Sequence, residues 1–160
     1  MAKAHHHGMH AHVKKRETAP VQDGAILVAM LFVLVGVLGF LPGITTGFGG
    51  MEFAGTGSDA KLLGIFEVSI LHNLVHLVFG LVGMFMSWFT GGARLFLLGG
   101  GTIYLVLGVY GFFIDKTDAA NFLPMNTADD WLHVGLGVAM LVLGLVLRRT
   151  PADRSEGYPT

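Results

Sequence analysis

The chain has 160 residues, 52% of them hydrophobic and 13% charged, with no cysteine. A mean hydropathy of +0.64 argues against a soluble domain of ordinary composition, and the missing thiols exclude disulfides, thiolate metal sites and thiol catalysis. The formal net charge of -1, with Lys14-Lys15-Arg16 as the sole basic run, gives no footprint for nucleic acid.

In chain order, residues 1–22 are polar and carry His5, His6, His7, His10 and His12. They are expected to form a disordered cytoplasmic tail; clustered imidazoles also bind late first-row metals, which is the sharper reading. No short apolar core with a cleavage site precedes the first apolar run, which is therefore expected to remain as a helix. About 20 mostly apolar residues cross a bilayer, and four such runs are marked: Gly24–Leu41, Leu71–Phe89, Leu95–Ile114 and Trp131–Leu147. These predict an all-α, membrane-embedded four-helix bundle over residues 23–149, followed by a tail over 150–160.

Pro42-Gly43 ends the first span. The glycine-rich stretch Thr45 to Ser58 reads as an irregular loop, and Asp59 to Ser69 as a helical lead-in continuous with the second span. Trp88-Phe89-Thr90-Gly91-Gly92-Ala93-Arg94 predicts a short turn through its glycines, making the second and third helices antiparallel neighbours. Thr127 and Asp130 have the spacing of a capping box for the fourth helix.

Lys3, Lys14, Lys15, Arg16, Arg94, Arg148, Arg149 and Arg154 fall on the side of the two termini, and Lys61 and Lys116 on the other. The positive-inside rule then places both termini in the cytoplasm of a multi-pass membrane protein whose partners are the lipid bilayer and either another membrane protein or a second copy.

Val35-Gly36-Val37-Leu38-Gly39-Phe40 matches Leu107-Gly108-Val109-Tyr110-Gly111-Phe112. His76 and Gly80 are matched by His133 and Gly137, and Asn73 by Asp130. The chain so reads as two tandem helical hairpins, although apolar helices resemble one another readily and the match is short. Gly36, Gly39, Gly80, Gly83, Gly108, Gly111 and Gly137 are the expected helix-packing positions.

At 100° per residue Ser69, His72, Asn73, His76, Gly80, Gly83 and Ser87 share about a third of the second helix, and Asp129, His133, Gly137, Met140 and Gly144 share a face of the fourth. An ionisable group facing lipid costs on the order of 3 kcal/mol, so both faces turn inward. His76 and His133 are expected to face each other, with Asn73 and either Asp129 or Asp130 in hydrogen-bonding reach. The polar cluster His72, Asn73, His76, Asp129, Asp130 and His133 supports several readings. It is packing, or a pH-sensing group in a non-enzymatic accessory or sensor protein, or a metal site on His72, His76 and His133, or haem held between His76 and His133. There is no Gly-x-Ser-x-Gly elbow, no His-Glu-x-x-His pair, and Gly99-Gly100-Gly101 lacks the partners of a phosphate loop, so an enzyme is the weaker expectation and no cofactor is required.

Three blocks resemble the actinobacterial-type membrane family known as domain of unknown function 4383. They are Gly39-Phe40-Leu41-Pro42-Gly43-Ile44-Thr45, the run from Ala60 to His76, and the run from Ala120 to His133. The resemblance implies a small four-helix protein of a bacterial cell membrane and supplies no activity, substrate or catalytic residue. The histidine-rich tail lies outside it.

Overall fold

The computed structural model describes residues 17–147 and residue 149. The histidines of residues 1–22, Lys3, Lys14, Lys15, Arg16, Arg148, Arg154 and the tail 150–160 lie outside the described residues.

Four helices form the body: α1 (Pro20–Leu38), α2 (Ile70–Met86), α3 (Thr90–Phe113) and α4 (Thr127–Val146). The outward surfaces are apolar, with Leu27, Val78, Leu81, Phe85, Leu95, Ile103, Val106, Val142 and Leu145 exposed, while Asn73, His76, Asp130 and His133 are buried. That inversion of ordinary burial is stable against hydrocarbon and not against water. By length and apolarity α1, α3 and α4 can each cross a membrane; α2, at 17 residues, is the shorter apolar helix and sits at the lower limit of about 17–25 residues for a span.

The starts of α1, α2 and α4 lie where the sequence limits the number of unpaired N–H groups. Pro20 opens α1, where its missing N–H costs nothing, and residues 20–22, assigned to the tail from sequence, are its first turn. Gln22 Oε1 accepts from Ala19 N at 3.0 Å while its Nε2 donates to Ser87 O at 2.9 Å. Ser69 caps α2 by accepting from His72 N. For α4 the cap is Asn126, paired with Asp129, instead of the expected Thr127 and Asp130. The amide accepts from Ala128 N and Asp129 N, and Asp129 Oδ2 accepts from Asn126 N at 2.8 Å. The α2–α3 turn is Ser87-Trp88-Phe89, and Gly91 and Gly92 belong to the first turn of α3. There Gly92 is required because a Cβ would meet Met86 O at 2.5 Å.

The expected helical lead-in before α2 is instead a small antiparallel sheet, β1 (Thr45–Thr46), β2 (Lys61–Leu62) and β3 (Phe66–Glu67), in the order β1-β2-β3. Lys61 pairs with Glu67 and Leu62 with Phe66, and between them Leu63 and Gly64 take φ of 54° and 72°. Two consecutive left-handed residues reverse the chain and end any helix. The expected irregular loop thus contains β1 and a 3₁₀ turn over Phe48–Gly50. Ala60, Leu62 and Val68 form a second small core beneath the sheet, against Val35, Leu38 and Ile44.

α1 packs antiparallel on α2, and α3 on α4, and the hairpins meet chiefly through α1 and α3. The contacts repeat. A Cβ on Gly36 would meet Asn73 O and Leu77 N; one on Gly108 would meet Asp130 O and Val134 N. Gly80 lies on Ala29 O and Val33 N, and Gly137 on Gly101 O and Leu105 N. Gly39 abuts the Asn73 amide where Gly111 abuts the Asp130 carboxylate. The caps Ser69 and Asn126 are counterparts too, so the duplication read from a short motif extends through both hairpins, related as parallel repeats. Arg94 donates to Gly144 O at the end of the bundle holding the described chain ends; Lys61 and Lys116 lie at the opposite, loop-bearing end.

Candidate metal centre

His72 and His76 sit on successive turns of α2, and His133 sits on α4 at the position equivalent to His76. All three are buried, and one ring nitrogen from each lies within 4.8 Å of the other two. The ring centroids of His72 are 4.7 Å from His76 and 6.1 Å from His133. His72 Nδ1 lies 3.2 Å from Pro124 O and His133 Nδ1 lies 2.6 Å from Asp129 O. A carbonyl oxygen only accepts, so both rings carry their proton on Nδ1 and keep a lone pair on Nε2. His76 Nδ1 is buried with no hydrogen-bond partner, a costly arrangement in a low-dielectric interior.

The remaining predicted residues divide. Asp129 joins the centre through its main chain: its carbonyl orients His133, and its carboxylate accepts from Asn126 N and from Glu67 N at 3.0 Å, tying β3 to α4. Asn73 does not reach the histidines. Its Nδ2 points to Met51 Sδ at 3.9 Å and its Oδ1 packs on Gly39. Asp130 also faces away, toward Gly111 and Lys116 Nζ, which lies 2.8 and 2.7 Å from its two carboxylate oxygens. Their place in the repeat explains this: Asn73 and Asp130 lie on the seam between paired helices, a quarter-turn from the histidine face. Ser69 and Ser87, assigned to that face from sequence, serve as helix caps.

Phe32 and Tyr104, equivalent positions of α1 and α3, were not evident from sequence. Phe32 stacks on His76 with centroids 6.0 Å apart and planes at 21°, and Tyr104 on His133 at 5.0 Å and 25°. Extending the Gly36–Gly108 alignment four residues upstream pairs them, and that was the available signal. Two cavities flank the histidines. The larger, about 310 Å³, lies between α1 and α4 under the sheet; the smaller, about 70 Å³, lies between α2 and α3.

Two of the three imidazoles, His72 and His133, have Nδ1–H held by a carbonyl, the arrangement that metal-binding histidines use, the second hydrogen bond fixing tautomer and orientation. Tetrahedral coordination with metal–nitrogen bonds of about 2.0–2.1 Å brings ligand nitrogens to about 3.3 Å, so the rings close by an ångström or so about an ion. Neutral nitrogen donors suit zinc, copper, iron or nickel and not magnesium or calcium. Haem held between His76 and His133 would have to displace His72, whose ring lies 4.7 Å from His76 and 6.1 Å from His133.

The family model described as Domain of unknown function (DUF4383) matches residues 22–146, and the chain belongs to that family. No curated protein matches the chain, and no solved structure does.

Proposed function

We propose that this is a multi-pass protein of a bacterial cell membrane, both termini cytoplasmic, that holds one late first-row transition-metal ion on His72, His76 and His133. The single observation that carries the metal reading is the convergence of three buried ring nitrogens within 4.8 Å, two of them from rings whose tautomer is set by main-chain carbonyls. Imidazole nitrogens carrying lone pairs at that separation in an apolar interior repel unless a proton or a cation lies between them, and a metal ion is the occupant that engages all three. The centre has three protein ligands, which leaves a fourth position open. The role proposed is binding or sensing in the membrane.

Metal analysis of protein purified in detergent tests this. About one equivalent of zinc, copper, iron or nickel per chain is expected, falling to background in His76→Ala and in His133→Ala. Variants that fold and retain the metal would remove the basis of the reading. The topology rests on Arg94 and on Lys61 with Lys116 lying at opposite ends of the bundle. Single cysteines at Gly50 and at the exposed Ala119 should label only from outside the cell, and labelling from the cytoplasm alone would reverse the orientation.

A further inference from the structure

The larger cavity, about 310 Å³, lies between α1 and α4, and Leu62, Leu63 and Phe66 of the β2–β3 hairpin wall it on the loop-bearing side. Its lining is hydrocarbon almost throughout, and the histidines at its floor present ring carbons to it. Leu31 and Leu34 of α1, Leu63 of the hairpin and Leu132 of α4 line the space and are also exposed on the outer surface. That apolar surface is the one that faces lipid, so the mouth opens sideways into the bilayer.

Size and lining together select the occupant. Water does not fill an apolar cavity, because each buried molecule needs about two to four polar partners. A lipid headgroup is excluded for the same reason. A helix from a second copy or another protein is too large, since one turn, about 10 Å across and about 5.4 Å long, already exceeds the volume. Left empty, the walls would lose their dispersion contacts outright. At roughly 30 Å³ per water-sized group the space takes about ten methylene-sized groups, which is part of one fatty acyl chain. Acyl chains are what lies at the mouth when the protein sits in a bilayer.

We propose that the cavity between α1 and α4 is a lipid site that holds the tail of one phospholipid, drawn in sideways past Leu31, Leu34 and Leu132 while the headgroup stays at the membrane surface. The seated chain covers the floor formed by Phe32, Tyr104 and the three histidines and keeps water from it. No metal is needed for this, so the site stands or falls independently of the metal reading.

The test places the full-length protein, deuterated except at Leu and Val methyls, in nanodiscs of palmitoyl-oleoyl phosphatidylcholine and phosphatidylglycerol, and records nuclear Overhauser cross-peaks from the lipid chain methylenes. Leu62 and Val68 line the cavity and are only 5% and 2% exposed. Their methyls should nevertheless show cross-peaks to chain methylenes, as the lipid-facing Leu27 and Val106 do, and none to water. Val21 and Leu97, fully buried away from the cavity, should show none. Val35→Trp fills the cavity and should reduce the Leu62 and Val68 cross-peaks to the level of Val21 while leaving those of Leu27 and Val106 unchanged. Leu62 and Val68 silent like Val21, cross-peaks to water in place of methylenes, or cross-peaks that survive Val35→Trp would each overturn the proposal. If Val35→Trp fails to fold, Leu136→Trp fills the space from the opposite wall. If neither folds, the contrast between Val68 and Val21 in the parent decides.

Discussion

At the scale of single residues, the two hairpins solve one packing problem in two ways. Asn73 and Asp130 occupy equivalent positions, each wedged against a glycine of the paired helix. The amide needs no counterion, and the carboxylate has Lys116, whose side chain is one-third exposed while that of Asp130 is 1% exposed. Lys116→Ala would leave an unpaired buried carboxylate and should lower stability by about 3 kcal/mol. Asp130→Asn installs the solution already used in the first hairpin and should cost clearly less. Thermal unfolding in detergent checks the order, and equal losses would show that the pair is not coupled. The identities of His72, His76, Asp129 and His133 as inward-facing groups were legible from helical periodicity. Their hydrogen bonds were not, because Pro124 O and Asp129 O are main-chain atoms and carry no mark in the residue types. Asn73 and Asp130 were misassigned to the same cluster because angular position on a helix does not say which neighbour a residue faces.

Among elements, the glycines specify the helix pairs. Gly80 and Gly137 bring backbone onto backbone, with a Cβ meeting Ala29 O at 2.8 Å in one hairpin and Leu105 N at 2.6 Å in the other, while nothing lies within 4 Å of a Cβ at Gly91. Gly80→Leu and Gly137→Leu should each separate a hairpin and cost several kcal/mol, of the order of overpacked cores or more, and Gly91→Leu should be nearly neutral. Comparable losses at all three would contradict close contact at the seams. The four helices could be read from apolar runs and their ends to within a few residues. The sheet could not, since β1, β2 and β3 are two residues each, too short for any alternation to register, and Leu63 at a positive φ is a conformation its residue type disfavours. The helix-like spacing of Leu62, Leu63, Ile65 and Phe66 does not come from a helical face: Leu62, Leu63 and Phe66 line the cavity, Leu62 and Phe66 also meet the small core, and Ile65 is exposed.

For the whole molecule, duplication accounts for the position of the three-histidine cluster. Parallel repeats place α2 and α4 in equivalent roles, so His76 and His133 approach a common region from opposite sides. His72 then breaks the symmetry, since its counterpart is Asp129, and supplies a third nitrogen from the first hairpin only. The cavities on either side follow from the same arrangement, because α1 and α3 carry most of the contact between hairpins. The most direct measurement is X-ray absorption at the metal edge of the purified, metal-loaded protein. A first shell of three nitrogens at about 2.0–2.1 Å with the outer-shell scattering of imidazole rings, and a metal-edge signal at background in His133→Ala, is the predicted result. A shell of oxygens alone, or an imidazole shell unchanged in His133→Ala, would contradict a centre shared between the two hairpins.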